Sequence, residues 1–71
     1  MLSGDLHITR REYEIVNALS HGMNSQEIAD KLFISTFTVQ THRKNILQKL
    51  EARNTAHLVR IFFESGALRQ Q

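Results

Sequence analysis

The 71-residue sequence predicts an all-α domain, a four-helix bundle that contains a helix-turn-helix. Four segments each begin with a polar capping residue and continue with apolar residues at helical spacing. Strand-like alternation of apolar and polar residues is absent, and so is proline, which breaks helices. We expect one domain over residues 1–71, ordered from about residue 6 to 66 and frayed at both ends.

The first helix is predicted over about residues 10–21. Thr9 and Glu12 have the spacing of a capping box, in which each side chain accepts a hydrogen bond from the backbone of the other residue. Gly22 follows as a stop, because glycine readily adopts the left-handed conformation that often ends a helix.

A short second helix is predicted over about residues 25–32, where Asn24 and Glu27 form another capping box. Ala29 is small and falls in the middle of this helix, where two helices can cross closely. The turn that follows has only three residues, 33–35. Two helices joined by so short a turn are typical of a helix-turn-helix.

The third helix is predicted over about residues 36–50, with Ser35 as its cap. At 100° per residue its inward side holds Val39, His42, Ile46, Lys49 and Leu50. The opposite side holds Phe37, Thr41, Lys44 and Gln48, flanked by Gln40 and Asn45. We expect His42 to be a packed, hydrogen-bonded core residue and Lys49 to pair with an acid such as Glu12.

The last helix is predicted over about residues 55–64, capped by Asn54 and stopped by Gly66. Its apolar residues are Ala56, Leu58, Val59, Ile61, Phe62 and Phe63. This set covers too much of the helix for a single core-facing stripe. We therefore expect Val59 and Phe62 in the core and part of the remaining surface against something else.

The formal net charge is a modest +2, but the charges are unevenly distributed. Residues 1–31 carry five acids and three bases, whereas residues 36–53 carry four bases and one acid. A basic stretch on one helix is typical of a protein that contacts phosphate, although a solvated helix face has the same composition.

Other classes of function have little support. The chain has no cysteine, and its four histidines lack metal-ligand spacing, so we expect neither a metal nor a cofactor. No glycine-rich loop, nucleophile elbow or carboxylate pair indicates an enzyme. Neither a bilayer-spanning apolar run nor a signal peptide is visible, which fits the cytoplasm and argues against a membrane partner.

Three stretches together resemble the LuxR/FixJ-type (GerE-like) helix-turn-helix domain of bacterial transcription regulators. They are residues 9–15 (TRREYEI), 24–35 (NSQEIADKLFIS) and 38–50 (TVQTHRKNILQKL), which resemble its opening motif, its scaffold helix with the turn, and its recognition helix. The resemblance covers about residues 6–66. It implies an output domain that binds double-stranded DNA in the major groove, usually as a dimer on paired half-sites. Such domains usually follow a receiver or ligand-sensing domain and act on transcription by RNA polymerase.

The resemblance places Gln40, Thr41 and Lys44 at base-reading positions. Glutamine can pair with adenine, lysine can donate to guanine, and the threonine methyl can contact the thymine methyl. The family often has lysine at the position of Gln40, so the sequence preference of relatives does not transfer. The outward Phe37 is open to two interpretations, apolar contact with DNA or packing against a neighbouring domain.

Hydroxyl groups, helix N-termini and flanking bases suit contacts with DNA phosphates. The candidates are Ser25, Thr36, Thr38 and Arg43. Capping and turn chemistry remain alternatives for Ser25, and a structural bond within the first helical turn remains one for Thr38.

The resemblance also implies a homodimer through the last helix, for which His57, Leu58 and Ile61 are the candidate interface residues. The alternative is that the surplus apolar surface covers an upstream domain. Two other functions stay open for the whole chain. One is a promoter-binding module like region four of a sigma factor, and the other is a helix-turn-helix protein-interaction module without DNA binding.

Overall fold

A computed structural model describes residues 8–66, which form four helices and, within that range, no strand. The helices are α1 (Arg10–Ser20), α2 (Ser25–Leu32), α3 (Thr36–Lys49) and α4 (Thr55–Glu64). The predicted all-α fold is confirmed. Helices α1 and α3 end one residue earlier than predicted, because His21 and Leu50 have C-cap geometry. The expected order at residues 6 and 7 and the frayed ends lie outside the described residues.

Each helix begins at the predicted cap. At every cap, the backbone N–H three residues later donates to the capping side chain. The distances are 3.1 Å from Glu12 to Thr9, 2.8 Å from Glu27 to Asn24, 3.0 Å from Thr38 to Ser35 and 2.9 Å from His57 to Asn54. Both capping boxes are complete, since the carboxylates of Glu12 and Glu27 accept the N–H groups of Thr9 and Asn24. A cap of this kind stabilises a helix by about 1 kcal/mol, so these helices have boundaries set by local sequence.

The buried side chains form two clusters. The α2-side cluster contains Ile15, Ala18, Ile28, Ala29 and Val39. The α4-side cluster contains Val16, Ile46, Leu58 and Phe62. Helices α1 and α3 contribute to both clusters, so α3 is anchored near its start by Val39 and two turns later by Ile46. This double anchor fixes which side of α3 faces outward.

The turn between α2 and α3 is tight because Phe33 adopts a left-handed conformation, with φ 59°. The N–H groups of Phe33 and Ile34 both donate to the carbonyl of Ala29. Ile34 packs against the α2-side cluster, while the ring of Phe33 is 93% exposed. Ala29 is buried in the same cluster, as its small size in the middle of α2 predicts.

Candidate nucleic-acid interface

The outward side of α3 presents a surface that is polar except for one phenylalanine, and we call it the outer face. It comprises Thr36, Phe37, Gln40, Thr41, Lys44, Asn45 and Gln48, all exposed. On the inward side, Val39 and Ile46 are fully buried, and His42 and Leu50 are half-buried. The predicted division of this helix into two sides is confirmed for these residues, whereas Lys49, also predicted on the inward side, is exposed.

Three polar side chains of the outer face have no bonding partner among the described residues. Across residues 8–66, the side chains of Gln40, Thr41 and Lys44 take part in no hydrogen bond or ion pair within the chain. Their donors and acceptors are therefore available to a ligand. Because 37, 40, 41 and 44 are three or four residues apart, their side chains lie together on one helix surface.

An ion pair joins the last turn of α3 to the first turn of α1. The Nζ atom of Lys49, in the last turn of α3, lies 2.8 and 3.1 Å from the two carboxylate oxygens of Glu12 in α1. Glu12 also accepts the N–H of Thr9 at 2.9 Å, and only 7% of the residue is exposed. The predicted pairing of Lys49 with Glu12 is confirmed.

The electrostatics of this pair follow from its surroundings. Burial alone would raise the pKa of Glu12, but the hydrogen bonds from Lys49 and Thr9 and the positive charges of Lys49 and His42 outweigh it. The pKa of Glu12 is consequently below its ordinary value of 4.5. His42 is half-buried beside this pair, and among the described residues no hydrogen bond of its ring is found. His42 is thus a packing residue, but the expected hydrogen bond is not seen.

Charge is distributed asymmetrically around the outer face. Residues 31–50 contain four bases and no aspartate or glutamate. Of the bases in the described range, Arg10, Arg11, Lys49 and Arg60 are in ion pairs, whereas Lys31, Arg43, Lys44 and Arg53 are in none. Of these four, Arg43 and Lys44 lie on α3, which contains no carboxylate, so its surface attracts a polyanion.

The four candidate phosphate-contacting residues occupy different environments. Thr36 is exposed at the first position of α3, and Ser25 is half-buried at the first position of α2. Arg43 is half-buried on the flank of the outer face. The hydroxyl of Thr38 lies 2.9 Å from the hydroxyl of Ser35, which is the structural bond considered as its alternative role.

Helix α4 corrects one interface prediction. Leu58, predicted to line a dimer interface, is fully buried with Phe62 in the α4-side cluster and faces α1 and α3 instead of solvent. Val59, predicted for the core, is half-buried at its edge. Periodicity alone could not show which of these two adjacent residues faces the core. When apolar residues cover most of a helix, the pattern does not determine which side packs against the rest of the fold.

The surface of α4 remains partly apolar after this correction. His57 and Ile61 are half-buried on one edge, and Phe63 is 52% exposed on the other. Between them an open pocket of about 260 Å³ is lined by Arg53, Asn54, Ala56, His57 and Arg60. The ring of His57 is oriented there by its Nδ1 atom, which accepts the N–H of Arg53 at 3.0 Å.

Sequence reasoning missed one exposed residue near the outer face, Phe33. Phe33 has a left-handed backbone and is exposed. A left-handed residue at the end of a helix is usually glycine or asparagine, so a phenylalanine there gives no signal in the sequence. The available signal was positional, since a helix that ends at Leu32 and restarts at the Ser35 cap needs a residue with positive φ to reverse the chain.

The described residues contain no cluster of histidine and acidic side chains able to hold a metal ion. No helix among them is long and apolar enough to cross a bilayer.

Two helices with capped N-termini, a tight turn between them, and an outward face that carries Lys44 and is flanked by Arg43 define a helix-turn-helix of the DNA-binding class. The model of the family "Bacterial regulatory proteins, luxR family" matches residues 6–62. The chain belongs to this family, whose domain is the DNA-binding domain of transcription regulators.

The relatives are transcription regulators that are longer than this chain. LnrK of Bacillus subtilis, a transcriptional regulatory protein, is 45% identical over 49 residues, which are 69% of this chain and 22% of LnrK. The oxygen regulatory protein NreC of Staphylococcus carnosus is 40% identical over 73% of this chain and 24% of its own length. The transcriptional regulatory protein FixJ of Rhizobium meliloti is 36% identical over 83% of this chain and 28% of its own length. The chain thus spans only about a quarter of these relatives.

Proposed function

We propose that this domain binds a specific double-stranded DNA site with α3 in the major groove, and that two copies occupy paired half-sites. One observation carries the proposal. The outer face presents Gln40, Thr41 and Lys44, which are exposed and have no side-chain partner among residues 8–66, on a 20-residue segment, 31–50, that contains no carboxylate. The major groove admits an α-helix and offers the donors and acceptors that these side chains need.

Base contacts follow from side-chain chemistry. The carboxamide of Gln40 pairs with the N6 and N7 atoms of adenine, and the ammonium of Lys44 donates to O6 or N7 of guanine. Thr41 and Phe37 supply apolar contacts at the same surface. Because α3 is anchored by Val39 and Ile46 on its other side, these groups are held on a rigid element.

Phosphate contacts flank this surface. Thr36 and Ser25 stand at the first positions of α3 and α2, where backbone N–H groups and hydroxyls suit an anion. Arg43 supplies an unpaired charge beside the outer face, and Thr38 a hydroxyl in the first turn of α3. These contacts set the register of the domain on the duplex.

The second part of the proposal is a homodimer through the outer surface of α4. His57 and Ile61 are half-buried along one edge of this surface, and the exposed Phe63 lies along its other edge. Exposed aromatic and aliphatic residues on one helix are typical of a protein interface. A pair of domains related by two-fold symmetry would place its two α3 helices on symmetric half-sites.

We expect the domain to act as the output part of a longer, cytoplasmic regulator. A receiver or sensor domain would control it, and it would act on RNA polymerase. A promoter module resembling sigma-factor region four has less support, because the family match is to regulators.

Selection of bound duplexes from a random pool tests the DNA proposal. We expect enrichment of a short consensus, and we expect Lys44→Ala to relax the preference at one base position at a cost of about 1–3 kcal/mol. Arg10→Ala is the matched control, since it removes a 90% exposed base that belongs to α1 and not to the outer face. It should leave the consensus unchanged.

Two outcomes would contradict the proposal. Absence of any enriched sequence would favour the protein-interaction module instead. Equal weakening of all sequences by Lys44→Ala would move Lys44 from base contact to phosphate contact.

A further inference from the structure

The four side chains that we assign to base contact, those of Phe37, Gln40, Thr41 and Lys44, differ in the base that each suits. The carboxamide of Gln40 suits adenine, and the side-chain methyl of Thr41 suits the C5-methyl group of thymine. The ring of Phe37 has no polar atom and can make only apolar contacts, for which the thymine methyl is the main target in the major groove. Lys44 alone favours guanine.

Phe37 contributes little to the fold. The residue is 78% exposed and belongs to neither buried cluster, in contrast to Phe62, which is fully buried. It lies in the first turn of α3, one helical turn before Thr41 and on the same side. Two methyl-contacting groups therefore stand next to each other on the outer face.

The spacing of these groups matches consecutive base pairs. Residues 37 and 44 are separated by about 10 Å along a helix that rises about 1.5 Å per residue. Successive base pairs rise about 3.4 Å along the duplex axis, and the groove is inclined to that axis, so this distance covers at most about three steps and about four base pairs.

We propose that α3 recognises an A·T-rich half-site by its thymine methyl groups. The ring of Phe37 and the methyl of Thr41 each contact one C5-methyl, Gln40 reads an adenine, and Lys44 reads the single guanine. This inference rests on the proposed function and adds the class of DNA sequence that the same surface takes.

Replacement of thymine by uracil tests the methyl contacts, because it removes the C5-methyl and leaves the base pairing unchanged. We expect each uracil at a contacted position of the selected site to weaken binding about fourfold, the value of one buried methyl group. Phe37→Ala should weaken binding to the thymine duplex by a similar or larger factor. It should also abolish the response to uracil at one position and preserve the response at the other.

Conservative variants separate the methyl contact from other effects. Phe37→Leu keeps an apolar side chain and should keep the response to uracil. Thr41→Val keeps the methyl and should keep the response at the second position, whereas Thr41→Ser should lose it. Phe33→Ala removes an exposed ring outside α3 and should leave the thymine-to-uracil ratio unchanged, and thermal unfolding confirms that each variant is folded.

A selected site rich in G·C pairs, or affinity unaffected by uracil at every position, would overturn this inference. If a consensus is still enriched and still depends on Lys44, the proposed function stands while the methyl contacts are refuted. If no sequence is enriched at all, the proposed function fails first and this inference with it.

Discussion

The Nζ atom of Lys49 lies 2.8 Å from Oε1 of Glu12, and this contact joins the last turn of the outward-facing α3 to the first turn of α1. Residues 12 and 49 are 37 positions apart, so the contact forms only in the folded chain. Glu12 also closes the capping box of α1. The carboxylate of Glu12 therefore caps the start of α1 and also binds the end of α3.

The stability of the domain should depend on the ionisation of Glu12. Because its pKa is lowered in the folded state, the free energy of unfolding includes a contribution that is complete well above pH 4.5. This contribution disappears as the pH falls from 4.5 through the pKa of the folded state. Glu12→Gln should lower the free energy of unfolding at pH 7 by about 1–2 kcal/mol and flatten this dependence. Denaturant titrations from pH 3 to pH 7 measure both effects.

Glu14 is the matched control, since it forms surface ion pairs with Arg10 and Arg11. Glu14→Gln should change the free energy of unfolding by less than about 0.5 kcal/mol, because exposed pairs are screened by solvent. An equal loss of stability from both substitutions would contradict the special role of Glu12.

Phe33→Gly should stabilise the domain. Phe33 has φ 59°, in the left-handed region that favours glycine, and its ring is 93% exposed, so little packing is lost. We expect a gain of about 0.5–1 kcal/mol in the free energy of unfolding, measured by denaturant titration. Gln40→Gly, in the middle of α3, should instead cost about 0.5–1 kcal/mol. A loss of stability in Phe33→Gly would mean that the ring packs against the fold.

Ala29→Leu should destabilise the crossing of α2 and α3. Ala29 is 3% exposed in the α2-side cluster with Val39, so a larger side chain must displace its neighbours. The expected cost is about 1–3 kcal/mol, with a lower melting temperature. Ala56→Leu, on an exposed position of α4, is the control and should have almost no effect on melting. Similar melting of both variants would contradict the close crossing.

Ile61→Glu should abolish cooperative binding to paired half-sites. The measurement is the affinity for a duplex with two half-sites divided by the affinity for a duplex with one. This ratio depends on the contact between the two domains, because a change in how each domain binds its own half-site affects both affinities. Phe63→Glu, on the other edge of α4, should have a similar effect, whereas Phe33→Ser, at the turn before α3, should not. Since Ile61 is half-buried against the α4-side cluster, circular dichroism must show that the variant is folded. Unchanged cooperativity in both α4 variants would refute the dimer.

Features set by local sequence could be predicted, and features set by tertiary packing could not. The caps at Thr9, Asn24, Ser35 and Asn54 depend on residues three positions away, and all four form. The two sides of α3 follow from periodicity, because its apolar residues are few and well spaced. In α4 they are crowded, so only packing against α1 and α3 shows that Leu58 and Phe62 face inward.

The candidate site was predictable to the same extent. Periodicity identified which side chains of α3 face outward, but the geometry of the turn and the exposure of Phe33 depend on how α2 and α3 cross. Contacts with bases and phosphates remain predictions, since they depend on a partner molecule.

The dependence of DNA binding on salt, measured on the selected duplex, tests the central claim most directly. If the acid-free surface of α3 neutralises phosphates, log K should fall linearly with log salt, with a slope of about −2 to −4 for one domain. Arg43→Gln should reduce the magnitude of the slope by about 1 and leave the consensus unchanged. A slope near zero, or affinity independent of the selected sequence, would contradict the account.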